Sequence, residues 1–154
     1  MQRMILVAES DDELRGLFRA YFRKLGFEVA TAASGLDCLE QLRQNPPAVL
    51  LLDEDLTWGG ADGLLAWLRE DSRCDRTAVV MMATIGGLSN QGEPVVASLQ
   101  KPFRLTSLLA NVNSALTQSG CYTSRRLRLA KHDTGTRTQD AASRPNWDRQ
   151  GAAR

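Results

Sequence analysis

Histidine is nearly absent from this chain: the only one among 154 residues is His132, set in a basic stretch near the end. That argues against a histidine metal site or an imidazole general base in the body of the sequence. Cysteine is sparse as well. Cys38, Cys74 and Cys121 are odd in number, far apart and in no CxxC pair, which speaks against a disulfide framework or thiolate zinc site and fits a reducing compartment. No apolar run approaches bilayer-spanning length, and residues 1–7 are too short for a signal peptide, so a cytoplasmic protein without a membrane partner is expected. The length suffices for one core. Net charge is also small, +1, but it hides an asymmetry. Residues 1–120 carry 11 Lys and Arg against 15 Asp and Glu, whereas residues 121–154 carry 8 against 3.

What is present is alternation. Five short apolar runs, at residues 4–8, 29–32, 48–52, 78–83 and 95–99, are continuous rather than period-two, as in parallel strands buried on both faces. Helical periodicity lies between them. Leu14, Leu17, Phe18, Tyr21, Phe22 and Leu25 form one apolar face, with Asp11 or Asp12 to cap its start and Gly26 to end it. Ser34 and Asp37 read as a capping box ahead of Leu39 and Leu42. Asp62 can cap a helix carrying Leu64, Leu65, Trp67 and Leu68, and Leu105 to Leu116 mark a last helix. The alternation predicts an α/β, doubly wound five-stranded parallel sheet. One link departs from it. Residues 84–94, TIGGLSNQGEP, hold three glycines and little apolar periodicity, so the fourth helix is expected to be shortened or missing.

Ligands of such sheets gather beyond the carboxyl ends of the strands. There the sequence places Glu9, Ser10, Asp11 and Asp12 after the first strand, Asp53, Glu54 and Asp55 after the third, Thr84 after the fourth and Lys101 after the fifth. Hard oxygen donors of this kind suit Mg²⁺. A lysine and a hydroxyl opposite them are suited to phosphoryl oxygens.

These residues resemble the receiver domains of two-component response regulators, over roughly residues 3 to 119. ILVAESDDELR is similar to the family's opening ILVVDD or ILVVED, with Glu9 on the first acid of the metal-binding pair. LLLD ends the third strand where the family carries its phosphoacceptor, and Asp53 lies at the usual separation from Glu9. Asp62–Gly63 resembles the opening of the third helix, and Lys101–Pro102–Phe103 matches K-P-F, whose lysine contacts the phosphoryl group beside a Lys–Pro bond that is usually cis.

The resemblance implies a CheY-like, flavodoxin-like sheet of strand order 2-1-3-4-5 and a phosphorelay function. A sensor histidine kinase or phosphotransfer protein would donate a phosphoryl group to Asp53. Mg²⁺ would be held by Glu9, Asp53 and a backbone carbonyl, with Ser10 or Asp11 assisting. Lys101 and Thr84 would stabilise the phosphoryl group, and the signal would pass by contact to an unknown downstream protein. The chain would then be a phosphoprotein and switch, not an enzyme, beyond assisting its own phosphorylation and dephosphorylation.

Several residues depart from the family pattern. Ser10 replaces the second acid of the pair. The loop after Asp53 is two residues longer, so counting back from Gly63 points to Asp55 as an alternative phosphoacceptor. Asp53 is preferred because the apolar run ends there and a carboxylate within the strand needs a partner. Thr84 is one residue from the usual hydroxyl position, and Ser98 takes the place of the aromatic switch residue. These changes leave open a degenerate receiver that binds a partner without phosphorylation. A remote alternative is a haloacid-dehalogenase-like phosphatase, because Asp53, Asp55 and Thr57 spell D-x-D-x-T. Residues 120–154 read as a basic tail with the composition of disorder, and nucleic acid is not the expected partner because no aromatic interleaving accompanies the charge.

Overall fold

Each of the five apolar runs becomes a strand in the computed structural model, which describes residues 3–84, 92 and 94–119. The chain runs β1 (Met4–Ala8), α1 (Asp12–Lys24), β2 (Glu28–Ala32), α2 (Gly35–Gln44), β3 (Val49–Asp53) and α3 (Gly60–Glu70). A 3₁₀ turn (Ser72–Cys74) follows, then β4 (Ala78–Ala83), β5 (Val95–Gln100) and α4 (Leu105–Gln118). The sheet is parallel throughout, in the order β2-β1-β3-β4-β5. The flavodoxin-like order expected from the resemblance is therefore present. Whether a helix links β4 to β5 lies outside the described residues, as does the tail from residue 120.

Strand pleating divides the core in two. Leu6, Ala8, Leu50, Leu52, Val79 and Met81 face α2 and α3, packing on Leu39, Leu42, Leu64, Leu65 and Leu68. Ile5, Val7, Val49, Leu51, Val80 and Met82 face α1 and α4, packing on Phe18, Phe22, Leu108 and Val112. Both faces are apolar because both are covered, which is why the strands read as unbroken runs. The α1 stripe is less fully used than its periodicity suggests, since Leu17 and Leu25 remain about half exposed.

Local signals set the element ends. Asp11 caps α1, its Oδ1 accepting from the N–H groups of Glu13 and Leu14, both at 2.9 Å. Gly26, at φ +88°, turns the chain out of α1 as only glycine does freely. Ser34 caps α2 by accepting from the Asp37 N–H at 3.2 Å. The expected cap of α3 is displaced. Gly59, at φ +106°, occupies the N-cap, and Asp62 lies in the first turn, where its charge favours the helix dipole.

Candidate functional site

The strand order makes the chain reverse its winding direction between β1 and β3, so a crevice opens at their carboxyl ends. The backbone ladder runs up to that edge. Glu9 N–H donates to Ala32 O at 3.1 Å, Glu54 N–H to Met82 O at 2.8 Å, and Lys101 N–H to Ala83 O at 2.7 Å. Glu9, Asp53 and Lys101 are thus fixed by neighbouring strands. Asp53 is itself the last residue of β3, one further than the apolar run suggests, and pairs with Met82 of β4.

Three charged side chains meet there. Lys101 Nζ donates to Glu9 Oε2 at 2.9 Å and to Asp53 Oδ1 at 3.0 Å. Glu9 is 2% exposed and Asp53 3%, so both carboxylates have left bulk water and one ammonium serves both. Burial pushes the Glu9 carboxyl above its ordinary range, despite hydrogen bonds from Lys101 and the Asp11 N–H, and the Asp53 charge adds to the rise. Burial alone would lower the Lys101 pKa; its hydrogen bonds to Glu9 and Asp53 outweigh that and hold it above the usual lysine value. Lys101–Pro102 is cis, as in the resembling motif, and Phe103 stacks on Phe18 with ring centres 5.9 Å apart.

The remaining expected residues fall elsewhere. Asp55 is exposed, and its backbone N–H lies 3.4 Å from Asp53 Oδ1. Asp11 has one carboxylate oxygen committed to capping α1. Ser10 Oγ accepts from the Thr57 N–H at 3.0 Å and lies 3.3 Å from Thr57 Oγ1. Thr84 is exposed past the end of β4, and among the described residues no hydrogen bond joins it to the carboxylates. Ser98 is exposed on β5. The geometry therefore unites Glu9, Asp53 and Lys101, and leaves Ser10, Asp11, Thr84 and Asp55 outside that cluster.

Residues not singled out in the sequence support the site from behind. Arg15 donates from its guanidinium to Glu9 O at 2.9 Å and Ser10 O at 3.4 Å, and pairs with Asp12. Its only sequence signal is the i, i+3 spacing from Asp12. Gly35 and Thr57 form a second support. Gly35 N–H donates to Thr57 O at 2.8 Å, and a Cβ at position 35 would lie 2.2 Å from Trp58 O. Trp58, which follows Thr57, is three-quarters exposed and sits at φ 55°.

For a divalent cation, the carboxylates of Glu9 and Asp53 supply hard anionic oxygens of the kind that hold Mg²⁺ together with water and phosphate. Among the described residues no group of three or more His, Cys, Asp or Glu side chains converges, so the donor set stops at this pair. A cavity of about 590 Å³ lined by Arg3, Arg23 and Phe27 lies at the opposite end of the sheet and has no part in the site. No helix of the described residues is long and apolar enough to cross a membrane.

Comparison with known proteins agrees with this fold. The pattern of the response regulator receiver domain matches residues 5–113. Protein Rrf1 of Nitratidesulfovibrio vulgaris is 28% identical over 116 residues, covering 75% of this chain and 84% of its own. Transcriptional regulatory protein GltR of Pseudomonas aeruginosa is 26% identical over 124 residues, 76% of this chain and 50% of its own; this chain spans about half its length. A receiver domain protein from Clostridium thermocellum has the same fold, with a TM-score of 0.69 at 21% identity over 77% of this chain and 97% of that one. The dehalogenase-like alternative finds no support. Its motif would end a first strand, whereas Asp53 ends the third, and its acid/base Asp55 is exposed. The chain belongs to the response regulator receiver domain family.

Proposed function

We propose that the chain is a phosphoacceptor, with Asp53 receiving a phosphoryl group from the phosphohistidine of a sensor histidine kinase or phosphotransfer protein. The observation that carries this reading is the burial of Asp53 with its Oδ1 3.0 Å from Lys101 Nζ, while Asp55 is exposed. Oδ1 is held by the lysine, which leaves Oδ2 to attack phosphorus. A new P–O bond forms as the P–N bond to the donor imidazole breaks, and the imidazole leaves as a neutral base after taking a proton from water. Lys101 stays beside the acyl phosphate and balances the charge that its oxygens acquire.

Magnesium, when bound, would supply positive charge on phosphoryl oxygens; Glu9 and Asp53 are the residues that would hold it. Binding it would also relieve the repulsion between two buried carboxylates. The protein acts as a substrate and switch in this reading, passing its signal to a downstream protein by contact.

A second reading, a receiver that binds its partner without phosphorylation, is favoured by one observation. Ser10, where the resembling family carries a metal-binding acid, is engaged with Thr57 instead. Intact-mass measurement with a small acyl-phosphate donor, with and without Mg²⁺, separates the two. The phosphoacceptor reading expects a Mg²⁺-dependent adduct on the wild type and on Asp55→Asn, and none on Asp53→Asn. An adduct lost only in Asp55→Asn would move the acceptor, and no adduct on any protein would favour the binding module.

A further inference from the structure

The loop between β3 and α3 begins directly after Asp53, and it is longer than the family pattern. A long, polar loop beside two buried carboxylates tends to fray unless something fixes it. Beyond the Glu54 N–H bond to Met82 O and the burial of Leu56 in the core, three contacts from elsewhere in the chain hold its middle. Thr57 N–H donates to Ser10 Oγ at 3.0 Å, with the two hydroxyl oxygens 3.3 Å apart, tying this loop to the one after β1. Thr57 O accepts from Gly35 N–H at 2.8 Å, tying the same residue to the start of α2. At Gly35 the backbones approach so closely that a methyl group would collide with Trp58 O. Both backbone polar groups of Thr57 are thereby satisfied by partners 47 and 22 positions away in sequence.

This arrangement is electrically neutral. Every partner is a hydroxyl or a peptide group, so the loops are joined without adding charge to Glu9 and Asp53. It also stores strain, because Trp58 is held at φ 55°, where a bulky side chain is disfavoured. A bulky residue keeps that conformation only where the surroundings over-determine it, and the two hydrogen bonds of the preceding residue do so.

We propose that Ser10, Thr57 and Gly35 form a clamp that fixes the β3–α3 loop directly after Asp53, with Ser10 and Thr57 as positioning residues. The positioning half of this statement rests on the phosphoacceptor reading; the clamp itself rests on geometry alone.

Amide hydrogen exchange of the full chain, followed by NMR in EDTA and again with Mg²⁺, tests the clamp. The Thr57 and Gly35 amides should be protected in EDTA and change less than twofold on adding Mg²⁺. Ser10→Ala should speed Thr57 exchange about five- to tenfold, the loss of one hydrogen bond, and Ser10→Thr should restore protection. Thr57 exchange at the free-peptide rate in EDTA, protection that arises only with Mg²⁺, or no effect of Ser10→Ala would overturn the clamp. Labelling of Asp53 by an acyl-phosphate donor in the same samples tests the positioning role. Slower labelling in Ser10→Ala with recovery in Ser10→Thr is expected, and wild-type rates in Ser10→Ala would refute it. Absence of label on the wild type would refute the phosphoacceptor reading and with it the positioning role, while the exchange data would still decide the clamp.

Discussion

Replacing Lys101 by methionine keeps most of the side-chain volume and removes the one ammonium that serves two buried carboxylates. In the wild type that group makes charge-assisted hydrogen bonds of 2.9 and 3.0 Å to Glu9 and Asp53. Bonds to charged groups contribute about 1.5–3 kcal/mol each. The lysine side chain is 22% exposed, so the lower end applies to each and the pair amounts to about 3 kcal/mol. At roughly 2.1 cal/mol/K of unfolding entropy per residue, a fold of about 115 residues then melts about 12 °C lower.

The sign with pH follows from the carboxylates. Losing the lysine removes a hydrogen bond that holds the Glu9 carboxyl down, so that carboxyl rises further and the penalty, full at neutral pH, shrinks as acid protonates it. It shrinks as pH falls through the raised value of the Glu9 carboxyl toward its ordinary range of about 4.3. Thermal and urea unfolding between pH 4 and 8 measures this, with Glu9→Gln/Lys101→Met as the companion. The double variant should regain part of the loss, because only one buried charge is then unpaired. A Lys101→Met protein within 1 kcal/mol of wild type at pH 7, or a deficit that is unchanged at pH 4, would refute the reasoning.

Glu9→Gln alone should melt at or above the wild-type temperature at pH 7, because burial already holds the Glu9 carboxyl above its ordinary range; the difference should close as pH falls through that raised value, read by calorimetry across pH. Gly35→Ala places a methyl against Trp58 O and should cost about 1–3 kcal/mol in urea unfolding, whereas Gly16→Ala, with open space around its Cβ, should cost nothing or stabilise α1 by about 1 kcal/mol. The thiols of Cys38 and Cys74 are pushed up to about 12 and about 11, chiefly by burial, so in a Cys121→Ser protein neither should react with a disulfide reagent at pH 8 until denaturant is added.

The strands and the charged cluster were legible in the sequence for one reason: both depend on local pattern. A buried parallel strand needs an unbroken apolar run, and the residue that follows it falls at the ligand edge, so the pattern alone puts Glu9, Asp53 and Lys101 at one edge. The preference for Asp53 over Asp55 rested on the need of a carboxylate that closes a buried strand for a partner, and Lys101 Nζ stands 3.0 Å from Asp53 Oδ1. What stayed hidden was contact between loops. Nothing near Gly35 announces that Trp58 O will rest against it, and Ser10 reads as a lost metal ligand rather than as an acceptor for the Thr57 N–H. Arg15 looks like a solvated helix residue until the guanidinium is seen on the Glu9 and Ser10 carbonyls. Thr84 lies exposed one residue past the end of β4, and among the described residues no hydrogen bond joins it to the cluster.

The charged cluster is also a record of assembly. Lys101 stands 92 positions from Glu9 and 48 from Asp53, and it is delivered by β5, the edge strand of the sheet. Contacts of that sequence separation carry the largest loop-closure cost and belong to the slow end of folding. A chain with β1 and β3 paired but β5 undocked holds two carboxylates with no counter-ion, a state that favours a loose, hydrated edge over a closed one. A lysine that reaches its partners only through this edge strand is expected to dock late in folding. Its loss should speed unfolding far more than it slows refolding.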